Sequence, residues 1–117
     1  DDLLSVFYYS RDLMEFYSEL NKDHIDFFLD ISKKPYHEIL KFSETLVNEY
    51  KDSMKMITEV FIHLLLKKLK DPANKNNYDR IRQCISICFQ TLQNFSNNIN
   101  IKLHIENMLI KLHHVAG

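Results

Sequence analysis

The scarcity of glycine is the feature that most restricts how this chain can fold. Among 117 residues the only glycine is Gly117, and there are two prolines. Tight hairpin turns depend on glycine because its backbone reaches positive φ angles without steric cost. A fold made of many short strands and tight turns is therefore excluded. The sequence instead predicts an all-α fold, a single compact bundle of five to six helices joined by short polar loops.

The same scarcity excludes several kinds of catalytic site. Loops that cradle a phosphate need glycine so that backbone N–H groups can close around the anion. Neither a Walker-type ATP site nor a dinucleotide fingerprint fits a chain without internal glycine, and the glycine-based nucleophile elbow is absent as well. We therefore expect a non-enzymatic chain that carries no cofactor.

Size and charge limit the class of partner. The chain fits one domain, residues 1–117, with 15 basic and 16 acidic side chains and a net charge of −1. Nucleic-acid-binding domains usually carry a basic excess, so no direct contact with nucleic acid is expected. No apolar stretch approaches the roughly 18 residues of a membrane span. Because the chain begins with two aspartates and has no signal-like segment, we interpret it as the C-terminal part of a longer cytoplasmic protein.

Apolar spacing in the first half of the chain predicts three or four helices. Apolar residues recur from Leu3 to Leu20, where either one helix or two short helices fit. Asp23 is a candidate N-cap for a short helix through Ile31. Pro35 marks the start of the third helix, which reaches about Tyr50, because a proline in the first helical turn sacrifices no hydrogen bond.

The fourth helix is apolar on more than one face. Asp52 or Ser53 can cap its start, its last turn is rich in lysine, and residues 71–77 are expected to form a loop. A helix that is apolar nearly all round is either central in a core or covered by a partner. Its apolar residues include Val60, Phe61, Ile62, Leu64, Leu65 and Leu66.

The last forty residues predict two more helices. The fifth carries apolar residues at alternating steps of three and four from Tyr78 to Phe95, and residues 96–98 interrupt it. The same steps continue from Ile101 to Val115. Residues 99–105 also alternate in a strand-like way, but a lone strand would lack a partner, so we favour a helix there.

Cysteine and histidine positions offer only weak evidence for chemistry. Cys84 and Cys88 lie one helical turn apart, on the same face of a helix, and are best interpreted as small core residues. The alternative is that both bind a metal together with a histidine such as His104. A structural zinc normally takes four ligands, with its cysteines close together in a turn instead of on a helix, and no oxyanion site supports a Cys84–His104 nucleophile–base pair. His63 lies among apolar residues and is interpreted as an interface or partly buried histidine. No metal site is predicted.

The final segment resembles a known family. Residues 98–112 read NINIKLHIENMLIKL, similar to the pattern Asn-x-Asn-x-x-Leu-x-Leu-Glu-x-Leu-Leu-Leu-x-Leu that ends the collar domains of bacterial DNA polymerase III clamp-loader subunits. The delta-prime type fits best and the tau/gamma type is the second choice. Upstream segments 13–20, 39–46 and 61–69 follow the order of the delta-prime family. Lys67 and Lys68 depart from it, because many members carry an arginine–aspartate pair there.

The resemblance implies an architectural role in DNA replication. Collar domains of five subunits pack into a ring that holds ATPase modules within the DNA polymerase III holoenzyme, so the partners would be other clamp-loader subunits in a hetero-oligomer. Such a domain is expected to expose apolar helix faces when isolated, which the fourth helix allows. We expect helices five and six to form the packing surface between subunits. The residues assigned to it are Arg82, Asn98, Asn100, Lys102, Glu106, Met108 and Lys111.

Two other functions remain open from the sequence. One is an unrelated helical adaptor that binds a partner helix in an apolar groove. The other is a small helical enzyme or metal protein, for which the residues offer least support.

Overall fold

A computed structural model describes residues 11–95 and 100–116 and contains helices but no strand within these ranges. The predicted all-α fold with five to six helices is confirmed, because six α-helices are present in the described residues. They are α1 Arg11–Glu19, α2 Lys22–Leu29, α3 Tyr36–Glu49, α4 Met54–Lys70, α5 Tyr78–Asn94 and α6 Ile101–Ala116. Three 3₁₀ helices connect them: Ile31–Lys33, Lys51–Ser53 and Pro72–Asn77. The predictions for residues 3–10 and 96–98 lie outside the described residues.

Helix α2 begins earlier than predicted because a different residue caps it. The side-chain oxygen of Asn21 accepts a hydrogen bond from the Asp23 N–H at 2.9 Å. The helix therefore starts at Lys22, and Asp23 contributes a negative charge to the first turn, where the helix dipole favours it. It also ends earlier, at Leu29, since the chain tightens into the 3₁₀ helix Ile31–Lys33.

Helix α3 starts one residue after Pro35, which is its N-cap and not part of its first turn as predicted. Pro35 has extended backbone angles, φ −65° and ψ 151°, and immediately precedes the first helical residue. Its carbonyl oxygen accepts hydrogen bonds from the N–H groups of Glu38 and Ile39 at 3.0 and 3.2 Å. The helix consequently begins at Tyr36 with the fixed φ of proline at its N-cap.

Residues 71–77 do not form the predicted loop. Asp71 accepts a hydrogen bond from the Ala73 N–H at 3.0 Å, and the 3₁₀ helix Pro72–Asn77 follows. The Asn74 side-chain amide donates to the Lys68 carbonyl at 3.0 Å. The same carbonyl accepts a second hydrogen bond, from the Asp71 N–H at 3.2 Å, at the C-cap of α4. Asn74, from the asparagine-rich segment that suggested a loop, therefore contributes to the end of α4.

Helix α4 lies at the centre of the fold. Its most extensive packing is against α5, and α1 also packs on it. The Phe61 ring stacks on the Phe28 ring of α2, with centroids 3.8 Å apart and planes 6° apart. The all-round apolar character of α4 is explained by this central position within the chain, so it gives no argument for a partner. The fully buried apolar residues of α4 are Ile57, Val60, Phe61 and Ile62.

Helix α6 packs against both α3 and α5. Near its start, the Lys102 ammonium lies 3.8 Å from a Glu44 carboxylate oxygen in the second half of α3. Near its end, His113 Nδ1 lies 2.9 Å from the carbonyl oxygen of Ile31, ahead of α3. Helices α3 and α6 are therefore antiparallel.

None of the helices in residues 11–95 and 100–116 combines the length and the apolar character of a membrane span.

Replacing Ser43 is expected to stabilise the protein. Ser43 on α3 is 0% exposed, and its hydroxyl has no hydrogen-bond partner among the described residues. An unsatisfied buried hydroxyl costs about 1–3 kcal/mol. We expect Ser43→Ala to raise the free energy of unfolding by roughly 1 kcal/mol, measured by urea denaturation. Ser86→Ala on the exposed side of α5 reports the gain from alanine's helix propensity alone. An equal gain at both positions would show that the Ser43 hydroxyl is satisfied.

Candidate protein-interaction surface

The interface residue predicted on α5 is solvated. Arg82 is exposed, and its guanidinium lies 3.4 Å from a carboxylate oxygen of Asp79, one turn earlier on the same helix. Ion pairs exposed to this degree contribute little to stability. Arg82 is therefore accessible to a partner. Its surroundings are the charged first turn of α5.

The lysines predicted on α6 do not share a face. Lys102 lies at the edge next to α3, where it pairs with Glu44. Lys111 is also exposed, but it lies about half a turn around the helix from Lys102. Glu106 is half-buried and lies on the Lys102 side of the helix. The charged residues of α6 thus cannot all contact one flat partner surface.

Two other predicted interface residues, Asn100 and Met108, contribute to the fold of the domain itself. Asn100 precedes α6, where its side-chain oxygen accepts a hydrogen bond from the Leu103 N–H at 3.1 Å. Met108 is 1% exposed and belongs to the core instead of the surface, because its position on α6 faces the interior of the bundle. Asn98 lies outside the described residues.

Asn100 is expected to stabilise α6 as its N-cap. Its backbone carbonyl also accepts a hydrogen bond from the His104 N–H at 3.2 Å. We expect Asn100→Ala to lower the free energy of unfolding by about 1 kcal/mol, because an N–H in the first turn loses its acceptor. Thermal denaturation followed by circular dichroism measures the effect. Asn107→Ala, at an exposed position within α6, should cause no loss, and equal losses at the two positions would contradict the capping role.

The surface most suited to a partner is one that the sequence predictions missed. No residue from Gln83 to Ile101 is charged, although 26% of the chain is. Within α5, the exposed residues of this stretch occupy one sector of about 100°, which we call the uncharged α5 face. Its residues are Gln83, Ser86, Gln90, Gln93 and Asn94.

Apolar side chains adjoin the uncharged α5 face. Ile87 and Phe89 flank it on either side and are only partly buried. The Phe95 ring, just beyond α5, lies edge-on to the ring of His104 at 6.5 Å, so the start of α6 adjoins the end of α5. Leu103 there is 49% exposed. Interface centres in proteins are depleted in charge and enriched in aromatic and apolar groups. The uncharged α5 face shares the depletion in charge, and the apolar groups lie along its edges.

The cysteines lie in the core, as the sequence predicts. Both Cys84 and Cys88 are buried and free. Burial raises the pKa of both thiols, although the Lys68 ammonium opposes the rise at Cys84. Each thiol is therefore a weak nucleophile, because the thiolate is the reactive form. Among the described residues, no three His, Cys, Asp or Glu side chains lie close enough to hold a metal ion.

A small cleft lies between α2, α4, α5 and α6. Its volume is about 40 Å³, and it is lined mainly by apolar side chains together with Lys68 and Cys84. Sites for drug-sized ligands occupy roughly 300–1,000 Å³. The cleft is thus too small for a ligand of that size or for a partner helix.

No protein-family model, no curated protein and no solved structure matches this chain. The resemblance to clamp-loader collars therefore rests on the residue pattern of the final segment and on the order of the upstream segments.

Proposed function

We propose that this chain is a non-catalytic protein-interaction domain, the C-terminal collar of a bacterial clamp-loader subunit of the delta-prime type. The observation that carries the proposal is the uncharged α5 face. The resemblance of residues 98–112 to the collar ending supports it, and α5 and α6 pack against each other as the last helices of the chain. In this role the domain assembles with other clamp-loader subunits in the cytoplasm and contacts no DNA.

The physical argument rests on the cost of desolvation. Burying an unpaired charge costs far more free energy than burying an amide that finds a hydrogen-bond partner. Glutamine and asparagine side chains both donate and accept, so they adapt to a partner backbone or side chain. The exposed sides of α3 and α4 instead carry charges such as Lys41, Glu44, Lys55 and Lys67. Covering the uncharged α5 face therefore costs less desolvation free energy than covering the exposed sides of α3 and α4.

An adaptor that binds a partner helix in a groove is the second candidate, and it has less support. Helix-in-groove recognition needs a long apolar channel with pockets for residues at helical spacing. The cleft near Cys84 is about 40 Å³ and cannot accept such a helix. The uncharged α5 face is a convex helix surface, which suits packing side by side with another helical domain.

Sedimentation velocity tests the proposed partners. The domain is run alone and mixed with the collar domains of the other clamp-loader subunits from the same source. We expect a mixed complex of defined stoichiometry that sediments faster than any component. Sedimentation as separate monomers in every mixture, including mixtures with the full-length subunits, would overturn the proposal.

A further inference from the structure

Helix α1 covers the outward face of α4. Its nine residues are too few to be a stable helix alone in water, so its stability depends on docking. Leu13 of α1 is buried, and the Tyr17 ring lies edge-on to the His63 ring with centroids 6.3 Å apart. His63 lies about 200° around α4 from the core residue Phe61. The contact between Tyr17 and His63 is thus on the side of α4 away from Phe61.

His63 has one ring nitrogen that no described group satisfies. Nδ1 is buried and has no hydrogen-bond partner among the described residues. In a neutral imidazole this nitrogen can be the unprotonated acceptor, whereas in the imidazolium both nitrogens carry protons. Protonation would therefore place a charged N–H at a buried position without an acceptor, which is costly.

A positive charge beside the contact adds to that cost. The Lys67 ammonium lies 5.8 Å from the centroid of the Tyr17 ring, and Lys67 follows His63 by one turn of α4. Burial lowers the pKa of His63, and Lys67 lowers it further. Among the side chains of α1 that the structure describes, residues 13–19, Tyr17 is the titratable group that faces the imidazole, whereas Glu15 and Glu19 are exposed on the other side of that helix.

Glu59, one turn before His63 on α4, acts in the opposite direction. Burial raises the pKa of the Glu59 carboxyl, and Lys55 partly opposes that rise. As the pH falls toward the ordinary pKa of a glutamate carboxyl, Glu59 becomes protonated. Its protonation favours the state in which α1 is docked on α4. Any effect of His63 must be separated from this one by a variant.

We propose that α1 is an acid-releasable cover: protonation of His63 weakens the docking of α1 on α4, and neutral His63 permits it. With α1 released, the imidazole meets solvent and its pKa returns toward about 6.5. Because the pKa is lower in the docked state, docking is fully favoured above about pH 6.5 and is lost progressively as the pH falls below it. The change reaches at most about ten-fold in the docking equilibrium for each pH unit, since one proton is involved.

Amide hydrogen exchange tests the proposal on the whole chain. In the wild-type protein, protection factors of the α1 amides should fall by up to about ten-fold per pH unit below about pH 6.5, after correction for intrinsic exchange. Amides of α5 should keep their protection. In His63→Gln, which keeps a polar side chain that cannot become charged, α1 protection should not fall through the same range, and any change should be the rise that protonation of Glu59 causes. The same pH dependence in both proteins would overturn the proposal.

An NMR titration of the wild-type protein gives a second test that needs no variant. The ring C–H resonances of His63 should titrate with a midpoint below about 6.5, the ordinary value. A midpoint at or above that value would show that the docked state does not exclude the proton, and the proposal would fail.

Discussion

Phe61→Ala is expected to lower the free energy of unfolding by about 3–5 kcal/mol, the range typical of a phenylalanine truncated in a well-packed core. Phe61 is 0% exposed and stacks on Phe28 at a centroid distance of 3.8 Å. Truncation removes the stacking contact and leaves a cavity at the centre of the bundle, where α2 meets α4. Since small domains have about 5–15 kcal/mol of stability in total, the variant should be close to unfolding at physiological temperature.

Urea denaturation followed by circular dichroism measures this loss, and Tyr36→Ala is the matched control. Tyr36 is also aromatic but is 52% exposed at the start of α3. Its truncation should cost well under 1 kcal/mol, because surface substitutions usually have small effects. Similar losses in the two variants would show that Phe61 is not at the centre of the core.

Gln90→Lys is expected to weaken the association with the collar partners at least about ten-fold. Gln90 lies near the middle of the uncharged α5 face, and a lysine there would be buried without a partner charge. An unpaired buried charge costs several kcal/mol, and each 1.4 kcal/mol changes the dissociation constant about ten-fold. The stability of the isolated domain should hardly change, because position 90 is exposed. Sedimentation velocity of the mixtures measures the affinity.

Asn48→Lys provides the matched control for that experiment. Asn48 is an exposed amide on α3, outside the uncharged α5 face, and the substitution adds the same charge. Association should be unchanged in this variant. If Asn48→Lys weakens association as much as Gln90→Lys, the effect reflects net charge and the uncharged α5 face is not the contact.

The helical fold could be predicted because two independent signals agree. Scarce glycine excludes tight turns, and apolar steps of three and four recur in every long helix. The caps were harder to predict, because both Asn21 and Asp23 are good N-cap residues and only the backbone decides between them. The 3₁₀ helix Pro72–Asn77 was missed for a similar reason. The bond from the Asn74 amide to the Lys68 carbonyl ties it to the end of α4, a contact that composition does not reveal.

The predicted interface residues follow from the family resemblance and take no account of helix geometry. Helical periodicity alone places Lys102 and Lys111 about half a turn apart. The sequence therefore already indicates that the two lysines cannot lie on one interface. The charge-free stretch from Gln83 to Ile101 was also visible there. The pairing of Lys102 with Glu44 was not, because it depends on how α3 and α6 pack. The burial of Met108 could be predicted, because this residue lies on the apolar seam that runs from Ile101 to Val115.

Cysteine labelling at position 90 tests the central claim most directly. A maleimide is reacted with Gln90→Cys and, separately, with Asn48→Cys, each alone and each in the presence of the collar partners. Cys84 and Cys88 should contribute little background, because they are buried and burial raises the pKa of their thiols. The proposed function predicts that partners slow labelling at position 90 by at least about ten-fold and leave position 48 unaffected. Equal labelling rates at position 90 with and without partners, in mixtures where a complex has formed, would contradict the claim that α5 is the surface that the partners cover.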